Sequence, residues 1–159
     1  MKIAVIGIGQ SLRGDDAVGL TAVRQWQEKH PETACLPNLQ VEVMENPGLA
    51  LLDLINGSDA AILVDAMKSS FDAGTLHRLS VEQLSSFTSE SKSSHGWGVS
   101  ETLQLNHLLN PSSQNIPIRL IGVEAEQFQI GNGLSDIVDR VIPLVCEAIQ
   151  DEVEALLLN

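Results

Sequence analysis

The stretch KIAVIGIG, at residues 2–9, decides the fold class. It is an uninterrupted β-rich apolar run, which is typical of a strand that is covered on both faces. A loop at residues 10–14 leads directly to Asp15 and Asp16, and a helical apolar pattern then continues toward Lys29. A buried strand that feeds a helix predicts a βα unit of a parallel sheet. We expect Asp15 or Asp16 to cap this helix at its N-terminus.

The same alternation continues to the end of the chain. Apolar runs predict further strands at residues 39–44, 60–64 and 118–123 and an edge strand at 74–79. Capping residues and apolar periodicity predict helices at 49–55, from Ser100 to 109, and from Ser135 onward, while the Ser-rich residues 85–94 are expected to be mobile. These elements predict an α/β fold: a three-layer α/β/α sandwich around a mostly parallel sheet with an antiparallel edge strand. Residues 1–159 are expected to form a single domain.

Charge and composition argue against several classes of partner. The formal net charge is −12, which disfavours binding to nucleic acid and to anionic membranes but is compatible with metal ions and basic peptides. Cys35 and Cys146 form no C-x-x-C motif, so we expect two reduced thiols. The apolar N-terminal run is too short for a signal peptide or a membrane span. We therefore predict a cytoplasmic protein.

Ligands of such sheets bind at the carboxyl ends of the strands. The spacing Gly7-x-Gly9 first suggests a dinucleotide site there, and Glu45 lies where a ribose-binding acid is expected. However, the third glycine of that motif would fall at position 12, which is Leu12. Asp15 and Asp16 would also repel a pyrophosphate at the helix N-terminus. The sequence therefore argues against a nucleotide site.

A metal site accounts better for the side chains at this edge. Asp16, Asp65 and His95 offer two carboxylates and one imidazole, a donor set that suits nickel, zinc or a similar divalent ion. Each residue has a simpler interpretation: a helix cap for Asp16, bonds to loop amides for Asp65, and solvation for His95. Three further histidines are interpreted as structural: His30, His77 and His107.

Several segments of the chain, in order, resemble the hydrogenase maturation protease family. The most specific is GIGQSLRGDDAVG at residues 7–19, followed by LVDA at 63–66 and by Ser94-His95. The segment LIGVE at 120–124, leading to Gly-Leu-Ser at 133–135, completes the resemblance.

This resemblance implies an α/β sandwich and an aspartic-type, metal-dependent endopeptidase. Asp16, Asp65 and His95 would be both its catalytic and its metal-binding residues. Its partner would be the precursor of a hydrogenase large subunit, from which it would remove a C-terminal extension. The nickel would arrive with that substrate, either as a catalytic ion or as a recognition element. We expect no organic cofactor, and we expect a monomer.

Two departures from the family pattern bear on this expectation. Gln10 stands where family members usually carry Asn, and Glu-Asn-Pro-Gly at 45–48 replaces a stretch similar to Asp-Gly-Gly-Thr. Glu45 is a candidate substitute for the missing acid. The alternative function is a non-catalytic nickel-sensing chaperone or checkpoint for the same precursor.

Overall fold

The computed structural model describes residues 1–87, 99–131 and 133–159. Its strands are β1 (Ile3–Gly9), β2 (Leu39–Glu45), β3 (Ala60–Met67), β4 (Leu76–Ser80) and β5 (Ile118–Glu124). Its helices are α1 (Val18–Lys29), α2 (Pro31–Ala34), α3 (Ala50–Asn56), α4 (Val81–Phe87), α5 (Val99–Leu109) and α6 (Asp136–Leu157). Two 3₁₀ turns accompany them, at Gly14–Ala17 and Pro111–Asn115.

The strands form one sheet in the order β2-β1-β3-β5-β4. All neighbouring pairs are parallel except β4 and β5, which are antiparallel at one edge of the sheet. Buried side chains alternate between the two faces of β1, as the pleat requires. Ile3 and Val5 pack in one apolar cluster with residues of α1 and α6, whereas Ala4 and Ile6 pack in a second cluster with residues of α3 and α5. The predicted three-layer sandwich is confirmed.

The end of β3 and the presence of α4 differ from the prediction, for identifiable reasons. We predicted that the third strand ends at Asp65, but β3 continues to Met67 because its pairing with β5 extends from Ala61 to Met67. Helix α4 was not predicted. It begins with a capping box, in which the Ser80 N–H donates to Gln83 Oε1 at 2.9 Å and the Gln83 N–H donates to Ser80 Oγ at 3.4 Å.

Helix α4 includes residues 85–87 of the Ser-rich segment that we expected to be mobile. Residues 88–94 of that segment lie outside the described residues. None of the helices in the described ranges is long and apolar enough to cross a membrane.

Helix α1 packs against the sheet at a distance that only glycine permits. A Cβ atom on Gly19 would lie 2.2 Å from the Val64 carbonyl oxygen and 2.4 Å from that of Ile8. A Cβ on Gly7 would likewise lie 2.5 Å from the Gly19 carbonyl oxygen. The helix backbone therefore lies directly over β1 and β3, and this contact sets the position of the turn that precedes α1.

We predict that Gly19→Ala destabilises the fold although alanine favours helices. The added methyl group meets main-chain oxygens that cannot rotate away, so the helix must shift, and we expect a loss of about 2 kcal/mol or more in the free energy of unfolding. Urea denaturation measures this loss. Glu28→Ala, at an exposed position of the same helix, is the control and should change stability little. Equal effects of the two substitutions would contradict the close approach.

Candidate functional site

The turn Gly14–Ala17, here called the acidic turn, lies between the carboxyl end of β1 and the start of α1. It contacts both β1 and β3. Gly9 makes this approach possible, because a Cβ at that position would lie 1.9 Å from the Asp16 carbonyl oxygen. Both carboxylates of the turn are withdrawn from solvent, with Asp15 0% and Asp16 1% exposed.

Asp15 anchors a distant loop and caps no helix. Its Oδ2 accepts hydrogen bonds from the main-chain N–H groups of Glu126 and Gln127 at 2.8 and 3.1 Å. Ser135 donates to it twice, from the main-chain N–H to Oδ1 at 2.7 Å and from Oγ to Oδ2 at 2.8 Å. The predicted capping by Asp15 or Asp16 is wrong: residue Ala17 occupies the N-cap position of α1, and no side chain caps that end.

Ser135 likewise bonds a distant residue instead of capping the helix that it precedes. It occupies the N-cap position of α6, as predicted, but its side chain makes no capping hydrogen bond to that helix. Its hydroxyl donates to Asp15 instead. The acidic turn and the start of α6 are therefore joined through the buried carboxylate of Asp15.

Asp16 and Asp65 come to the same edge of the sheet. Asp65 lies near the end of β3, opposite Gly122 of β5, and is 9% exposed. Its Oδ1 accepts a hydrogen bond from the Ala66 N–H at 2.8 Å, an amide that belongs to β3 itself and not to a loop as in the alternative interpretation. The acidic turn, which contains Asp16, contacts β3, which contains Asp65. Both buried aspartates therefore lie at the carboxyl edge of the sheet, where ligands of parallel sheets bind.

The third predicted site residue, His95, lies outside the described residues. Within residues 1–87, 99–131 and 133–159, no group of three His, Cys, Asp or Glu side chains is placed to hold a metal ion. The described part of the chain therefore supplies two carboxylates of the predicted triad. Such oxygens suit a divalent cation, because burying a carboxylate is costly unless a cation or hydrogen-bond donors compensate it.

The two departures from the family pattern contact each other. Gln10 Nε2 donates to Asn46 Oδ1 at 2.7 Å, and the Ser11 N–H donates to Glu45 Oε1 at 2.6 Å. Asn46 has a φ of 45°, a left-handed conformation that asparagine tolerates better than most residues. The end of β2 thus holds the loop that leads from β1 to the acidic turn.

The hydrogen bond from the Ser11 main-chain N–H lowers the pKa of Glu45, and the Ser11 side chain and the charge of Arg24 lower that pKa further. Glu45 is therefore held in its charged form beside the loop. This carboxylate is exposed, in contrast to Asp16 and Asp65.

Sequence reasoning missed a buried cluster at the carboxyl end of β5. Glu124 is 0% exposed and accepts hydrogen bonds from the Ser69 N–H at 3.0 Å and from Ser69 Oγ. His77 Nε2 lies 3.0 Å from the same carboxylate, and the Phe71 ring packs edge-on against the His77 ring. The interpretation of His77 as structural fits this position, since it helps hold the connection that follows β3.

A cavity between α4, α5 and the start of β5 lies away from the two buried aspartates. Its volume is about 580 Å³, and its lining includes Glu82, His107 and Arg119. It lies beside the amino end of β5, whereas ligands of parallel sheets bind at the carboxyl ends. Neither Asp16 nor Asp65 lines it.

We predict that Asp15→Asn destabilises the protein by about 3 kcal/mol, because the amide cannot accept all four hydrogen bonds and leaves donors unsatisfied. Urea denaturation measures the change. The exposed Asp72 provides the matched Asp→Asn control, which should stay within about 0.5 kcal/mol of the parent protein. A negligible effect at Asp15 would mean that its network contributes nothing to folding.

The depressed pKa of Glu45 predicts a pH-dependent contribution to stability. A carboxyl group with a lowered pKa in the folded state stabilises the protein above its unfolded pKa of about 4.3, and this contribution is lost as the pH falls through the folded pKa. Glu45→Gln should therefore lower the melting temperature at pH 7 and have a smaller effect at pH 3. Glu28→Gln, on the exposed side of α1, is the control. An effect of Glu45→Gln that is independent of pH would refute this account.

Comparison with protein families and curated proteins gives a consistent result. The family model described as hydrogenase maturation protease matches residues 26–152. The Hydrogenase 2 maturation protease of Escherichia coli is 26% identical over 152 residues, which cover 94% of this chain and 88% of that protein. The hydrogenase expression/formation protein HupD of Thiocapsa roseopersicina is 28% identical over 152 residues, which cover 94% of this chain and 66% of HupD.

Solved structures show the same fold. The hydrogenase maturating endopeptidase HybD from E. coli superposes with a TM-score of 0.80 at 22% identity, covering 98% of this chain and 93% of HybD. The [NiFe] hydrogenase maturation protease HybD from Thermococcus kodakarensis gives a TM-score of 0.77 at 24% identity, covering 96% and 99%. Since the family model spans most of the sequence, the chain belongs to the hydrogenase maturation protease family.

Proposed function

We propose that this protein is an endopeptidase that removes the C-terminal extension from a nickel-loaded hydrogenase large-subunit precursor. Membership of the hydrogenase maturation protease family gives the reaction class. The observation that carries the proposal for this chain is the pair of buried carboxylates at one sheet edge, Asp16 at 1% and Asp65 at 9% exposure.

The pair suits peptide hydrolysis near a metal ion. Asp16, Asp65 and His95 would together bind the nickel that the precursor carries, and nickel supplies Lewis acidity toward a carbonyl oxygen or a bound water. An aspartate oxygen not used as a ligand would accept a proton from the attacking water. The rigid anchoring of the acidic turn supports this role, because a displaced base loses catalytic efficiency steeply.

The proposed source of the nickel is the substrate. Three ligands, two of them carboxylates, form a small donor set for a resident ion. A precursor that presents its own bound nickel would complete the coordination sphere. Under this arrangement the enzyme acts only on a loaded precursor, so cleavage follows metal insertion.

The cleavage assay combines the purified protein with large-subunit precursors, each prepared with and without nickel, and reads the products by intact mass. We expect loss of a C-terminal peptide from the nickel-loaded form only. Asp16→Asn, Asp65→Asn and His95→Ala should each lower kcat/KM by at least about a hundredfold, because each removes a group that acts in the transition state.

Asp72→Asn is the matched control and should retain activity, and urea denaturation of every variant separates loss of activity from loss of folding. Nickel-dependent binding of a precursor without any cleavage would replace the protease by the sensor or checkpoint function. Cleavage that persists in all three site variants would contradict the assignment of the site while leaving the activity intact.

A further inference from the structure

Two large apolar side chains project into solvent beside the acidic turn. Leu12 is 72% and Ile130 is 79% exposed. They belong to two loops that meet through an antiparallel β-bridge between Arg13 and Ile130 and a hydrogen bond from the Gly131 N–H to the Leu12 carbonyl oxygen at 2.9 Å. We call residues 12, 13, 130 and 131 the apolar tip.

The backbone of the tip is held from both sides. The Ser11 N–H donates to Glu45 at 2.6 Å just before it, and the Asp15 N–H donates to the Gln127 carbonyl oxygen at 3.0 Å just after it. Asp15 also binds the main chain of residues 126 and 127 through its carboxylate. The two apolar side chains are therefore presented on a pre-organised support, which lowers the entropic cost of binding a partner.

The tip is continuous with the candidate site. Leu12 precedes Asp16 by four residues, so the two lie within about 14 Å even if the chain is fully extended. A bound peptide in extended conformation covers that distance with about four residues. A substrate whose scissile bond lies at Asp16 therefore reaches the tip with residues close to that bond.

The charge of the tip differs from that of the whole chain. The protein carries 21 acidic and 9 basic residues, yet QSLR at 10–13 and QFQIG at 127–131 contain no acid and one base, Arg13. One carboxylate borders the tip, that of Glu45 at 2.6 Å from the Ser11 main-chain nitrogen. An apolar segment matches the exposed Leu12 and Ile130.

We propose that the apolar tip docks an apolar segment of the precursor polypeptide adjacent to the bond that is cut, and so contributes to substrate selection. This inference rests on the proposed function, because the precursor is the polypeptide that brings its peptide bond to Asp16.

The test is the double variant Leu12→Gln/Ile130→Gln. Both side chains are exposed, so folding should be retained, as thermal unfolding will verify. We expect kcat/KM for a nickel-loaded precursor to fall by about tenfold to a hundredfold, mainly through KM, because apolar burial in the complex is lost. The control, Leu108→Gln/Leu144→Gln, alters leucines that are 80% and 56% exposed on α5 and α6 and should leave kcat/KM unchanged.

Binding is measured separately from cleavage, with Asp16→Asn as the background in which the precursor is not consumed. The tip variant should raise Kd by a similar factor. If the parent protein binds a precursor but cuts none, the proposed function fails while the Kd comparison still decides the inference. Unchanged kcat/KM and Kd in the tip variant would overturn it. Concentration-dependent dimerisation that the tip variant abolishes would also overturn it, because the tip would then bind a second copy of the chain.

Discussion

The buried carboxylate of Asp15 is the constraint on which the geometry of the candidate site depends. It accepts two hydrogen bonds from the backbone at residues 126 and 127 and two from Ser135. A carboxylate that is 0% exposed is tolerated only with such compensation. The same bonds join the acidic turn, the loop after β5 and the start of α6. These protein contacts thereby constrain the position of Asp16, one residue further on.

The layered fold could be predicted from the sequence because its central strands are buried on both faces. Such strands are recognisable as nearly continuous apolar runs, here at residues 2–9, 60–64 and 118–123. Strand ends that depend on tertiary pairing are harder to predict from the sequence. Strand β3, for example, reaches Met67 only because β5 pairs with it. Helix α4 does have a signal in the sequence, Ser80 and Gln83 in a capping box, but the many serines of that region favour caps and turns equally.

Prediction of the site depended on a different kind of information. Topology places Asp65 and the acidic turn at one edge of the sheet, and this follows from the order of strands and helices. The different roles of Asp15 and Asp16 do not follow from the topology, because two adjacent aspartates before a helix have the same capping preference. The two aspartates are distinguished only by the tertiary hydrogen bonds that Asp15 accepts from residues 126, 127 and 135. The cluster of Glu124, Ser69 and His77 was hidden for the same reason, since Glu124 is 55 residues from Ser69 and 47 residues from His77 in the sequence.

The departures at Gln10 and at residues 45–48 lie in contact with each other. Gln10 bonds Asn46 and Ser11 bonds Glu45, so a longer amide at position 10 is matched by an acceptor at the end of β2. Because these bonds hold the loop that carries Leu12, we expect a substitution at the end of β2 to change how the apolar tip is supported. Under the proposed function, the end of β2 would then influence how a precursor binds, and Asp16 and Asp65 would keep their proposed roles in hydrolysis.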